Sequence, residues 1–203
     1  MATTPTATFI FGGCHSKKTF EYLPKDSTKW MRGRTEIPGR GFDSGCAITV
    51  KSGQEIWLIG GWISQKRILS FNVKSHNFQV LPLQLNMGRQ GHRCAFIPNT
   101  LKVMVTGGYS DDCLDSTEIV DSKDGNVTRA HPMNFKRAWH GIGVLTINGE
   151  ERLAVFGGYD GRNYLDSVEL YNSQTEKWET TDIKLNQPKS KFAFLSVKLG
   201  QVR

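Results

Sequence analysis

Leu153-Ala-Val-Phe-Gly-Gly158 decides how the rest of the chain is read. The same arrangement, an apolar run closed by a diglycine, stands at Phe9-Ile-Phe-Gly-Gly13, Ile56-Trp-Leu-Ile-Gly-Gly61 and Val103-Met-Val-Thr-Gly-Gly108. The first glycines fall at 12, 60, 107 and 157, so the pairs Gly12/Gly13, Gly60/Gly61, Gly107/Gly108 and Gly157/Gly158 recur at steps of 48, 47 and 50 residues. A period of this length marks repeated supersecondary units, each too small to bury its apolar face alone.

Other positions repeat in phase. After each diglycine comes a polar loop, an alternating strand, a turn and a large apolar residue. Thr19-Phe-Glu-Tyr-Leu23 leads to Trp30, Ile68-Leu-Ser-Phe-Asn-Val73 to Phe78, and Val168-Glu-Leu-Tyr171 to Trp178. The third copy is degenerate, with Val120 and Val127 in the places of Tyr171 and Trp178. Even so, Leu114-Asp-Ser-Thr-Glu118 matches Leu165-Asp-Ser-Val-Glu169. A further strand opened by a basic residue precedes each later diglycine, at Arg40, Arg89 and Arg137, and a fourth opens at Lys189. No 3.6-residue period runs long enough for a substantial helix. Each unit therefore holds four short strands, which predicts an all-β propeller of four blades.

The diglycine after the second strand, with Tyr22 and Trp30 in one unit and Tyr171 and Trp178 in another, resembles the kelch-repeat β-propeller family (the kelch-like proteins). The resemblance implies a kelch-type propeller in which these aromatic residues fill the space between neighbouring blades. Residues 1–7 are read as an N-terminal tail and 8–203 as the propeller. Blade 1 takes 8–35 plus 189–199, blade 2 takes 40–83, blade 3 takes 89–130 and blade 4 takes 137–183. In this scheme a C-terminal strand completes the N-terminal blade and removes open sheet edges. A closed four-bladed ring and a share of a longer ring both fit the pattern.

Of 203 residues, 38% are hydrophobic and 22% charged, which matches a folded domain rather than a disordered chain. Nothing approaches an apolar span of membrane length, and the first residues lack the basic and apolar regions of a signal peptide. Charge is uneven: residues 1–101 hold 13 Lys+Arg against 5 Asp+Glu, and residues 102–203 hold 13 against 14. The excess, which includes Lys17, Lys18, Lys66 and Arg67, belongs to the first half. It suits a solvated surface that keeps the protein soluble or an acidic partner, and no aromatic RNA-binding signature accompanies it.

Four cysteines without a CxxC pair give no zinc pattern. Cys46 and Cys94, one repeat apart, are read as equivalent small buried hydrophobes with reduced thiols, which suits a cytoplasmic protein. Cys14 and Cys113 fall in loops. His92 and His140 are read as structural histidines, and the acids Asp43, Asp111, Asp112 and Asp160 are scattered among turns. No catalytic set, metal site or cofactor is expected. A copper enzyme of the galactose-oxidase kind shares the kelch fold but needs His, Tyr and Cys converging on one metal, a set not legible here.

The expected function is non-catalytic protein–protein interaction. Propeller symmetry would place Arg40, Arg89, Arg137 and Lys189 around one end of the axis, as a basic rim that captures an acidic segment. The resemblance supports this, since kelch adaptors for ubiquitylation bind acidic peptides at matching arginines. The alternative is that the same residues bond loop carbonyls. Trp62, Tyr109, Tyr159 and Tyr164 follow the diglycines and supply aromatic anchors. The family also includes actin-binding and cytoskeletal members, so actin or a ubiquitin-ligase component are further partner classes. An enzyme on the same propeller is the remaining alternative.

Overall fold

The computed structural model describes residues 1–13, 15–62 and 65–192. Sixteen strands form four antiparallel sheets, each connected in simple sequence order. Blade 1 holds β1 (Ala2–Thr3), β2 (Ala7–Phe11), β3 (Phe20–Pro24) and β4 (Met31–Arg32). Blade 2 holds β5 (Cys46–Val50), β6 (Glu55–Ile59), β7 (Arg67–Asn72) and β8 (Phe78–Gln84). Blade 3 holds β9 (Arg93–Phe96), β10 (Lys102–Thr106), β11 (Thr117–Asp121) and β12 (Val127–Ala130). Blade 4 holds β13 (Gly141–Ile147), β14 (Glu150–Phe156), β15 (Ser167–Asn172) and β16 (Lys177–Lys184). This is the architecture of a kelch-type propeller of four blades. Among the described residues, no helix is long and apolar enough to cross a membrane.

The apolar run of β6 is continuous because both faces of its blade are covered, whereas in blade 1 Ile10 of β2 is 40% exposed. Side chains alternate along a strand, so Ile56 and Leu58 of β6 meet Phe9, Phe11 and Phe20 of blade 1. Trp57 and Ile59 of the same strand meet Val103, Val105 and Val120 of blade 3. Met104 turns the other way, towards Leu153, Val155, Tyr171 and Trp178 of blade 4. On the far side of blade 4, Ala154, Phe156, Val168 and Leu170 pack with Leu145, Ile147 and Phe192, and this cluster includes no described residue of blade 1.

Three expectations change at this level. Ala2 and Thr3 are not a tail, because they pair with Phe9 and Thr8 as the first strand of blade 1. Of the closing strand expected over 189–199, only the part up to Phe192 falls within the described residues. Trp30 does not fill a blade junction; it is 45% exposed. The residue paired with Tyr22 is Met31, whereas Tyr171 pairs with Trp178, so the first blade is offset by one position. A one-residue offset reverses the face a side chain takes.

The third change concerns the cysteines. Cys46 pairs with Ile59, immediately before one diglycine, while Cys94 pairs with Val105, one position further from the next. They are therefore not equivalent, and the offset points both into the junction of blades 2 and 3. There they form a disulfide, with Cα atoms 6.0 Å apart. The finding removes the thiol argument for a cytoplasmic location. Cys113 is free and buried, and Cys14 lies outside the described residues. Closing 48 residues of sequence constrains the unfolded chain by about 2–4 kcal/mol. Thermal unfolding with and without dithiothreitol is expected to show a lower Tm under reduction, and a Cys46→Ser/Cys94→Ser variant is expected to be insensitive to it.

Candidate functional site

The loop end of the propeller is organised by backbone before any side chain matters. The second glycine of each pair donates its N–H to the carbonyl of the residue opening the next unit. The bonds are Gly13 to Phe42 (3.1 Å), Gly61 to Arg89 (3.0 Å), Gly108 to Arg137 (2.7 Å) and Gly158 to Lys189 (2.7 Å). Two residues further on, Ser44, Gly91, Trp139 and Lys191 all take a left-handed conformation, with φ between 51° and 60°. They are chained from unit to unit: Gly91 N–H donates to Ser44 O, Trp139 N–H to Gly91 O, and Lys191 N–H to Trp139 O. The residue of blade 2 that corresponds to Arg89 and Arg137 is therefore Phe42, not Arg40.

Arg89 and Arg137 do not form a basic rim. Both have no exposed surface. Arg89 Nη1 donates to Gly107 O (2.7 Å) and Ser116 O (2.9 Å), and Nη2 donates to Glu118 Oε1 (2.8 Å). Arg137 repeats this on Gly157 O, Ser167 O and Glu169. The carboxylates are also occupied by backbone: Glu118 accepts from the N–H groups of Asn86 and Met87, and Glu169 from those of Asn134 and Phe135. Each pair thus ties a blade's opening, its third strand and the loop that enters the blade. A fully bonded buried pair is costly to break singly, at about 3–5 kcal/mol, because the remaining charge is stranded. Blade 2 substitutes the pair as a unit: Phe42 and Leu69 pack together, and Pro38 has no N–H to be capped.

His92 and His140 are buried beside these arginines. His140 Nε2 bonds Thr106 Oγ1 at 2.7 Å. The imidazole of His92 lies against Gly60, where a Cβ would come within 2.7 Å of its Cε1. Burial first, then the charges of Arg89 and Arg93, holds His92 down to about 3. His140 is held well below the ordinary range by burial and then by Arg93 and Arg137. Both are packing groups of the blade openings. Among the described residues, no three His, Cys, Asp or Glu side chains are placed to hold a metal ion.

The expected aromatic anchors and the remaining cations stay on the surface, in two neighbourhoods. On blades 3 and 4, Tyr109 stacks with Trp139 at 6.1 Å, and Lys191 Nζ stands 5.0 Å over the Trp139 ring. Tyr159 contacts Tyr164 at 5.4 Å and donates its hydroxyl to Gly161 O. Tyr109 is fixed by paired backbone bonds to Gln90, and Tyr159 by equivalent bonds to Ala138. Lys189 is exposed on the far side of blade 4. On blade 2, Arg40 and Trp62 come together in a groove of about 550 Å³ with Gln65, Lys66 and Arg67. Trp62 is 58% exposed and Tyr164 62%. Trp139 and Lys191 were not legible as site residues, since only the left-handed opening residues reveal their equivalence.

The class defined by this architecture is a propeller of repeated four-stranded blades with bonded openings and a displayed loop face. Within it, a profile of the kelch motif matches residues 151–181, so the chain carries a kelch motif spanning β14 to β16 of blade 4. No curated protein matches the chain.

The buried histidines set a pH dependence. Their folded values lie below the unfolded value of about 6.5, so the unfolded chain takes up the protons first. Stability is then complete above about pH 6.5 and falls as pH drops towards 3. His92 contributes at most about 1.4 kcal/mol per pH unit across that window. Urea unfolding at pH 7, 5.5 and 4.5 is expected to show a shallower loss for His92→Gln than for the parent chain.

Proposed function

We propose that the chain is a non-catalytic scaffold whose loop face holds a segment of another protein. The observation that carries this reading is the division of labour between its polar residues. The arginines and histidines suited to chemistry are consumed inside the blade openings, whereas the aromatic residues after the diglycines stay at the surface, Trp62 and Tyr164 exposed and Tyr109 and Tyr159 half-buried and fixed by paired backbone bonds. Tyr and Trp held rigidly at a surface supply contact area at little cost in conformational entropy. Arg40 beside Trp62 and Lys191 over Trp139 add positive charge, as does Lys189 on the far side of blade 4, which favours a segment of acidic character.

Fluorescence anisotropy with labelled acidic, neutral and basic peptides measures this directly. The acidic set is expected to bind, and a Tyr109→Ala/Tyr164→Ala variant is expected to weaken that binding by about tenfold or more with unchanged Tm. Failure of every peptide to bind the parent chain, or equal binding by the variant, would contradict the reading.

A further inference from the structure

The groove on blade 2 contains a charge pattern that the fold does not require. Its lining joins Arg40 from the link between blades 1 and 2, Trp62 from the loop after the diglycine, Lys66 and Arg67 at the start of β7, and Val80 and Gln84 of β8. Among the described residues, no carboxylate lines it. Among the described residues, none of the three cations forms a salt bridge. Arg67 is already held in place: its Nη2 donates to Pro38 O at 2.9 Å, so the guanidinium is positioned before any ligand arrives. Trp62 and Val80, 58% and 52% exposed, give an apolar wall beside it.

Backbone equivalence shows that these cations are not part of the blade frame. Lys66 O accepts from Leu85 N–H, just as Asp115 O accepts from Met133 and Asp166 O from Leu185. Arg67 O accepts from Gly60 N–H, just as Ser116 O accepts from Gly107 and Ser167 O from Gly157. The same two places therefore read Asp-Ser in blades 3 and 4 and Lys-Arg in blade 2. The frame accepts either pair, with one negative charge in blades 3 and 4 and two positive charges in blade 2.

The groove's outer wall favours an extended polypeptide. β8 is the last strand of its sheet, so one edge of its backbone has no ladder partner among the described residues. Between the pairs Arg67–Gln84 and Leu69–Val80 the register shifts, and Leu81, Pro82 and Leu83 oppose Ile68 alone. This bulge turns the strand beside the cations. A nucleic acid would need a longer basic track for its phosphates, and the second half of the chain, with 13 Lys+Arg against 14 Asp+Glu, does not provide one.

We infer that this groove is the charge-reading site of the scaffold: an extended acidic segment of a partner protein lies along β8 with its carboxylates on Arg40, Lys66 and Arg67 and an apolar side chain on Trp62. The inference rests on the proposed capture of a protein segment and places its charge recognition on the flank of blade 2. Carboxylates on a fixed guanidinium form charge-assisted hydrogen bonds, which strengthen and orient the contact.

The test uses two labelled peptides, an acidic one with a single Leu and its counterpart with Glu and Asp changed to Gln and Asn. They are titrated against the parent chain and a Lys66→Asp/Arg67→Ser variant, which carries the dipeptide already accommodated in blades 3 and 4. The parent chain is expected to prefer the acidic peptide by about tenfold or more, and the variant to lose that preference with unchanged Tm. Tyr109→Ala/Tyr164→Ala is expected to weaken both peptides alike and keep the preference. A preference retained by the Lys66→Asp/Arg67→Ser variant overturns the groove while leaving segment capture standing. Tighter binding of a single-stranded oligonucleotide than of the acidic peptide also overturns it. No binding of either peptide by the parent chain removes both.

Discussion

The structure depends on the hydrogen bond from the second glycine of each pair to the carbonyl of the residue that opens the next unit. It is made four times, and it lets the two backbones approach more closely than any side chain permits. A Cβ on Gly60 would lie 2.7 Å from His92 Cε1 and 3.1 Å from Arg89 O, and one on Gly157 would lie 2.7 Å from Lys189 O. Both glycines of every pair also take positive φ, a region costly for L side chains. With the openings fixed this way, the alternate faces of each strand meet their neighbours, and the apolar clusters follow from the strand period alone.

Below this backbone frame, blades 2, 3 and 4 secure their openings in one of two ways. Blades 3 and 4 use a buried arginine–glutamate pair that also caps the entering loop. Blade 2 uses Phe42 against Leu69, with proline where an N–H would otherwise need a carboxylate. The exchange involves at least three positions together, as expected when a buried charge cannot lose its partner alone. It also released position 67 from its serine role, since no arginine of blade 2 needs that hydroxyl. Arg67 could then serve the surface.

The repeat, the all-β class and four blades were legible in the sequence because glycine pairs and alternating apolar residues report backbone geometry directly. The site was less legible. Arg40 precedes a strand at nearly the same spacing as Arg89 and Arg137, yet a two-residue difference places Phe42 at the equivalent position. Spacing alone cannot resolve such an offset, whereas the backbone bond to Gly13 does. The one-residue offset of Cys46 from Cys94 was hidden for the same reason and decides whether the thiols meet. Nor does sequence separate an arginine enclosed by carbonyls from one facing solvent, because the residue type serves both. The loop positions of Trp62, Tyr109, Tyr159 and Tyr164 were legible because the diglycines that precede them fix where each loop begins.

The close approach at the diglycines is tested most directly by comparing two alanine substitutions at positive φ. Gly107 (φ 54°) faces Arg137 O, with Met133 Cε 3.0 Å from a built Cβ, while Gly149 (φ 82°) has nothing within 4 Å. Both substitutions carry the conformational cost of about 1–2 kcal/mol, but only Gly107→Ala also separates the two blades. Urea unfolding is expected to show Gly107→Ala less stable than Gly149→Ala by at least about 2 kcal/mol, the scale of an overpacked core site. Equal stability of the two variants would contradict the account, since the glycines would then be turn residues rather than the contact on which the blades assemble.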